Sequence, residues 1–235
     1  MNISEGDPRD ELPPPSWRRL HEAAWLGSRI FRSFGHLNPR GPEDGPPTLV
    51  IPGFIADDRT TMELRRALAE AGYRAHGWGH GMNLGARHDT IDRLRSSLDQ
   101  VSTQEPVLVV GWSLGGVFAR ELARTHPDRV RAVVTLGSPF SGDPRQNNVW
   151  RLYEWVAGHK VDDPPIPRLT DKPPVPSLAL WSRYDGLIAV RAARGLAHES
   201  DHSVELDCTH MAFGVSRRTT RRVVQEIDTF LNSLD

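Results

Sequence analysis

Short apolar runs alternate with longer stretches of helical periodicity through most of the chain. Residues 48–51, 73–78, 107–111, 130–136, 177–181 and 203–206 read as strands. Between and after them, residues 60–71, 87–102, 114–125, 191–198 and 217–234 carry apolar positions at the three- and four-residue spacing of helices. Val107, Leu108, Val109 and Val110 are apolar at consecutive positions, as a strand covered on both faces requires. The alternation predicts a doubly wound, mostly parallel α/β sheet.

Two segments stand outside it. After a proline run and Ser16, a residue suited to N-capping, Trp17, Leu20, Ala24, Phe31 and Phe34 mark an amphipathic helix over 16–34. Such a helix docks on the domain or serves as a lid or membrane-surface element. Residues 140–176 contain Pro144, Pro164, Pro165, Pro167, Pro173, Pro174 and Pro176, which argues against strand pairing and leaves room for one helix near 147–157. That helix holds Val149, Trp150, Leu152, Tyr153, Trp155 and Val156, more apolar surface than one face accommodates. It is either a mobile apolar cap or an ordinary packed excursion. The expected organisation is an N-terminal extension (1–47), a core (48–139 and 177–235) and a cap or lid insert (140–176).

The chain has 235 residues, enough for one sizeable core, and its formal charge of -1 supplies no field that would draw in nucleic acid or an anionic membrane. The single cysteine, Cys208, excludes an internal disulfide. No apolar run reaches the length of a membrane span, and residues 1–15 are acidic and proline-rich, unlike a signal peptide. A cytoplasmic location without stable membrane insertion is expected. His198 and His202 flank Asp201 but have no helix signature or third ligand, so no metal site is expected there.

The chemistry centres on Gly111-Trp112-Ser113-Leu114-Gly115-Gly116, a G-x-S-x-G motif between a predicted strand and a predicted helix. A serine on a tight turn in this context presents its hydroxyl, and side chains at Gly111 and Gly115 would collide with the neighbouring strand and helix. The helix N-terminus favours developing negative charge. Gly137-Ser138-Pro139 also follows a strand, but it lacks the second glycine, and its proline fits a loop start better.

The strand-turn-helix context of this motif resembles the nucleophile elbow of the α/β-hydrolase superfamily, over residues 48–235. Within that group Val50-Ile51-Pro52-Gly53-Phe54, the elbow and Thr135-Leu136-Gly137-Ser138-Pro139 look like small bacterial lipases and esterases, many of which have His-Gly where this chain has Pro52-Gly53. Residues 77–85 resemble a glycine-rich segment of the same group. The resemblance implies the chain order serine, acid, histidine. Of His159, His198, His202 and His210, only His210 follows the last strand and precedes the final helix, where the base belongs. Asp185 follows the strand 177–181 at the edge of the sheet that holds the serine, and is preferred over Asp201 and Asp207.

A serine hydroxyl needs a base to take its proton, and the base needs an acid to orient it. The resemblance thus implies a Ser113, His210 and Asp185 triad, with the amides of Leu114 and Phe54 as oxyanion donors and no cofactor. The expected substrate is a small-molecule or lipid ester with an apolar acyl or alcohol part, met by Trp112, Trp150 and Trp155. An acyltransferase or perhydrolase would use the same triad. Carbon-carbon hydrolases and lyases share the fold, and a non-catalytic binding module could use the same scaffold.

Overall fold

A computed structural model describes residues 7–18, 22, 41–145 and 147–234. Its strands are β1 (Pro47–Ile51), β2 (Arg74–Gly77), β3 (Val107–Trp112), β4 (Val130–Leu136), β5 (Ser177–Trp181) and β6 (His202–Glu205). All pair in parallel as one sheet of order β2-β1-β3-β4-β5-β6. The helices are α1 (Met62–Glu70), α2 (Thr90–Val101), α3 (Leu114–Thr125), α4 (Trp150–Ala157), α5 (Val190–Arg194), α6 (Ala212–Val215) and α7 (Arg217–Asn232). The helix expected over 16–34 lies mostly outside the described residues, although Arg18 and Glu22 are helical.

Consecutive apolar residues in each strand face opposite layers, because side chains alternate across a sheet. Leu49, Ile51, Val107 and Val109 pack with Leu94 and Leu98 of α2 and Phe118 and Leu122 of α3. Their neighbours Val50, Leu108 and Val110 pack on the other face with Leu64 and Leu68 of α1 and Val223 and Ile227 of α7. Such two-sided cover is what makes an all-parallel sheet stable in water.

Strand order reverses between β1 and β3, which lie side by side although β2 separates them in sequence. The carboxyl ends of two adjacent strands with divergent exits leave a crevice there, the usual ligand position of an open α/β sheet. Ser113 follows β3 and Phe54 follows β1. The topology therefore brings these two positions to one place before any side-chain chemistry is considered.

Two of the expected helices lose three or more residues at one end. The element expected over 191–198 is α5, ending at Gly195, whose φ of 75° cannot continue a helix. The element expected over 87–102 starts at Thr90, since the Arg87 amide donates to the Thr90 hydroxyl at 2.9 Å in the preceding turn. Helix α6 has only four residues, too few to register as helical periodicity.

Residues 140–176 return to the sheet past a buried cation. Arg120 of α3 is 1% exposed, and its Nη2 donates to the carbonyls of Thr170, Asp171 and Glu199 at 2.8, 2.9 and 3.0 Å. Its guanidinium lies 4.1 Å from the centroid of the Phe140 ring. Burial pushes its pKa down to about 10, so it stays charged near neutrality. One side chain thus ties both ends of the insert to α3, in place of strand pairing.

Candidate active site

The turn after β3 is held in a conformation that few side chains adopt. Ser113 has φ 54° and ψ −124°, and its amide donates to the Leu136 carbonyl at 2.8 Å. A Cβ at Gly111 would lie 2.3 Å from the Gly115 carbonyl oxygen, and one at Gly115 would lie 2.3 Å from that of Ile51. Both distances are below any real contact, so the strand and α3 can approach this closely only with glycine at these positions. Ser138 of the second glycine-serine pair is fully buried behind the elbow, with its hydroxyl 3.4 Å from the Gly111 carbonyl.

Asp185 and His210 meet from separate loops at the same sheet edge. His210 Nδ1 lies 2.7 Å from Asp185 Oδ2, and each residue is 2% exposed. The other carboxylate oxygen, Oδ1, accepts the amides of Leu187 and Ile188 at 2.7 and 2.8 Å, which fixes the plane of the acid. With Nδ1 facing the carboxylate, Nε2 is the ring nitrogen left to exchange a proton. Burial pulls the imidazole pKa down, but the charge and hydrogen bond of Asp185, with a further contribution from Glu22, outweigh it and leave the pKa above its ordinary value.

Asp207 and Asp201 stand elsewhere. Asp207 is exposed, while Asp201 is engaged by Lys172 at 2.6 Å and by the Ser177 amide at 2.8 Å. His198 and His202 are exposed, with His202 against the Phe230 ring at 5.4 Å. Among the described residues no group of three or more His, Cys, Asp or Glu could hold a metal ion. No helix among them is long and apolar enough to cross a membrane.

Ser113 opens on an apolar cavity whose floor includes Phe54, Leu114 and Val117. Its roof comes from the insert, through Trp150, Tyr153, Val161 and Ile166. The Phe54 and Tyr153 rings join floor to roof, with centroids 5.2 Å apart. Leu114 is the first residue of α3, and a first-turn amide has no acceptor within its own helix.

The three expected tryptophans part company. Trp150 lines the cavity. Trp112 is 2% exposed on the opposite face of the sheet, because it alternates with Leu108 and Val110 toward the α7 layer. There its indole N–H donates to the His210 carbonyl at 3.2 Å, and it braces the histidine loop away from the cavity. Trp155 is 82% exposed: five positions beyond Trp150, it turns away from the face that Trp150 and Tyr153 present to the cavity.

The family model for the alpha/beta hydrolase fold matches residues 37–163, more than half of the chain. The chain belongs to the α/β-hydrolase family. Among curated relatives, pimeloyl-[acyl-carrier protein] methyl ester esterase of Salmonella heidelberg is 36% identical over 60 residues, 26% of this chain and 23% of the relative. The match therefore spans about a quarter of that relative's length. Two solved structures share the fold at low identity. Naproxen esterase (carboxylesterase NP) from Bacillus subtilis is 17% identical with a TM-score of 0.52, over 80% of this chain and 85% of that one. The monoacylglycerol lipase of Paleococcus ferrophilus is 15% identical with a TM-score of 0.58, over 79% and 96%.

Sequence reasoning missed one support of the crevice at the sheet edge. Asn83, from the glycine-rich run 77–85, is fully buried, and its Nδ2 donates to the Pro52 carbonyl at 2.9 Å. Its carbonyl accepts the Ile55 amide at 2.7 Å, and its amide donates to the Ala56 carbonyl at 2.8 Å. The loop after β1 turns through Ile55 at φ 54°, and Asn83 holds both sides of that turn. The loop after β1 is thus braced by an asparagine about thirty residues further along the chain. The sequence marks it only as an asparagine within a glycine run, which does not reveal its burial.

Proposed function

We propose that the protein is a serine hydrolase that cleaves carboxylic esters with an apolar acyl or alcohol part. The observation that carries this reading is the buried 2.7 Å pair of His210 and Asp185 at the sheet edge where strained Ser113 faces an apolar cavity. His210 takes the Ser113 proton as Oγ attacks the ester carbonyl, and the amides of Leu114 and Phe54 receive the oxyanion. His210 then returns the proton to the leaving alcohol. A water deprotonated by the same histidine attacks the acyl-enzyme and releases the acid and Ser113. Asp185 holds the ring with Nε2 toward the serine and stabilises the imidazolium. The name of the 36% identical relative, a methyl ester esterase, agrees with this class of bond.

In the same reading residues 140–176 are the cap that shapes the acyl site. The core comprises 48–139 and 177–235, and residues 1–47 are an extension. Trp150, Tyr153 and Ile166 give the cavity an apolar roof, which favours hydrocarbon over charged acyl groups. A panel of p-nitrophenyl esters of increasing acyl length tests this, together with mass spectrometry after fluorophosphonate treatment. Expected are p-nitrophenolate release and a single adduct on Ser113. Absence of both turnover and adduct would exclude the reading.

The loop after β1 offers a separate test. In Asn83→Ala the Pro52 carbonyl and Gly85 amide lose their buried partner, a loss of about 1–3 kcal/mol. With the Phe54 amide no longer fixed, kcat should fall by roughly a hundredfold at similar KM. Steady-state kinetics and a thermal melt measure the two effects. An unchanged kcat in a destabilised variant would remove Phe54 from the oxyanion site.

A further inference from the structure

Glu22 lies far from the serine in sequence and outside the catalytic core, yet its carboxylate sits beneath the histidine loop. It is 5% exposed and accepts three backbone amides: Gly186 at 3.0 Å and His210 at 2.8 Å on Oε1, and Met211 at 2.9 Å on Oε2. Gly186 follows the acid Asp185, and Met211 follows the base. One carboxylate therefore ties the acid loop to the base loop, across 164 and 188 residues of chain. We propose that Glu22 is a positioning residue of the active site, which fixes the two loops against each other and sets a second negative charge beside the imidazole.

The surrounding contacts favour a seated strut over a chance approach. A Cβ at Gly186 would lie 2.9 Å from both the Arg18 carbonyl oxygen and Glu22 Cγ, so the extension rests directly on the acid loop. Asn148 Nδ2 donates to the Pro14 carbonyl at 2.8 Å and to that of Gly186 at 3.0 Å, which links the extension, the acid loop and the insert. Arg194 pairs with Asp10 at 3.0 Å, and Arg18 donates to the Arg183 carbonyl. A carboxylate that takes three amides out of water is strongly held, and a merely structural residue could do as much. The location of the amides, on the residue after the acid and on the base itself, is what turns a buried cap into a device for catalysis.

The electrostatic consequence separates the two roles. Among the described residues, the charged groups acting on His210 are Asp185, from the loop after β5, and Glu22, from the extension, and both favour the imidazolium. On its own loop Asp207 is exposed, and the Cys208 thiol is pushed up by burial and by Asp185, Glu22 and Asp207, so it stays protonated. Removing the Glu22 charge leaves Asp185 alone to hold the imidazole pKa up. The protonation that silences the base then occurs at lower pH.

This inference rests on the serine-hydrolase reading, and the experiment keeps the two apart. Full-length wild type, Glu22→Gln, Glu22→Ala and Ser113→Ala are assayed with p-nitrophenyl butyrate across the titration range of histidine, with melting temperatures recorded. Glu22→Gln keeps the shape but loses the charge and turns an amide group toward one backbone N–H. Its kcat should fall by about tenfold at similar KM, with the acid limb of kcat/KM moved to lower pH. Glu22→Ala should lose roughly a hundredfold, and if it does not fold, Glu22→Gln decides. A Glu22→Gln profile that superposes on wild type, with or without a lower melting temperature, would overturn the positioning role. Wild-type turnover in Ser113→Ala would instead overturn the hydrolase reading itself.

Discussion

Ser113→Ala should lower kcat for p-nitrophenyl esters by about a millionfold while leaving the protein folded. The size of the loss follows from the proposed mechanism: without Oγ no acyl-enzyme forms, and water has to attack an ester that the site binds but cannot activate. The fold should survive because the features that build the elbow are in the backbone. They are the Ser113 amide bond to Leu136 and the close passage of Gly111 and Gly115, all kept in the variant. Single-turnover kinetics with enzyme in excess would show no burst of p-nitrophenolate, and circular dichroism should match wild type. Residual turnover within tenfold of wild type would move the nucleophile elsewhere.

Asp185→Asn should cost about four orders of magnitude in kcat, and the structure says why the loss takes this form. Asp185 Oδ1 accepts the Leu187 and Ile188 amides, so in the variant the carbonyl oxygen of asparagine has to stay there. The amide NH2 then faces His210 Nδ1 and donates to it. The imidazole is forced to carry its proton on Nε2, the wrong tautomer to accept one from Ser113. Asp207→Asn, at an exposed position, should stay near wild type.

The pH profile carries the same signature. Asp185 and Glu22 hold the His210 pKa up, so in the proposed mechanism wild-type activity should fall as pH drops through a value above the ordinary 6.5 of histidine. The conformational stability that the Asp185 pair contributes has the opposite dependence, complete below the unfolded pKa and lost as pH rises through the folded one. Asparagine removes the principal opposing charge, and the acid limb of the residual activity should move to lower pH. An unmoved limb would mean that Asp185 does not face the base.

What could be read in the sequence was what repeats or what is local. β4, β5 and α3 coincide with their expected bounds, because consecutive apolar residues mark two-sided strands and the G-x-S-x-G turn fixes where α3 starts. The meeting of Asp185 and His210 was legible because chain order and sheet edge restrict where each can stand. Asn83, Glu22 and Arg120 were not, since each acts by donating to or accepting from backbone groups of distant segments, and such pairings leave no periodicity behind. Trp112 and Trp155 went to the wrong surface for a related reason. Aromatic character beside a nucleophile or in a cap says nothing of which face a side chain takes. Strand alternation sends Trp112 away from the cavity, and helical phase does the same to Trp155.

The backbone of Ser113, at φ 54° and ψ −124°, lies in a region that costs about 1–3 kcal/mol for a residue with a Cβ. Glycine would relax there without disturbing β3 or α3. At position 113, then, the proposed mechanism makes a gain in robustness and the loss of chemistry the same event. A laboratory selection for heat resistance alone would be drawn to this site and would return a sturdier, silent protein. Only a screen that demands turnover in every round can keep the strained serine in place.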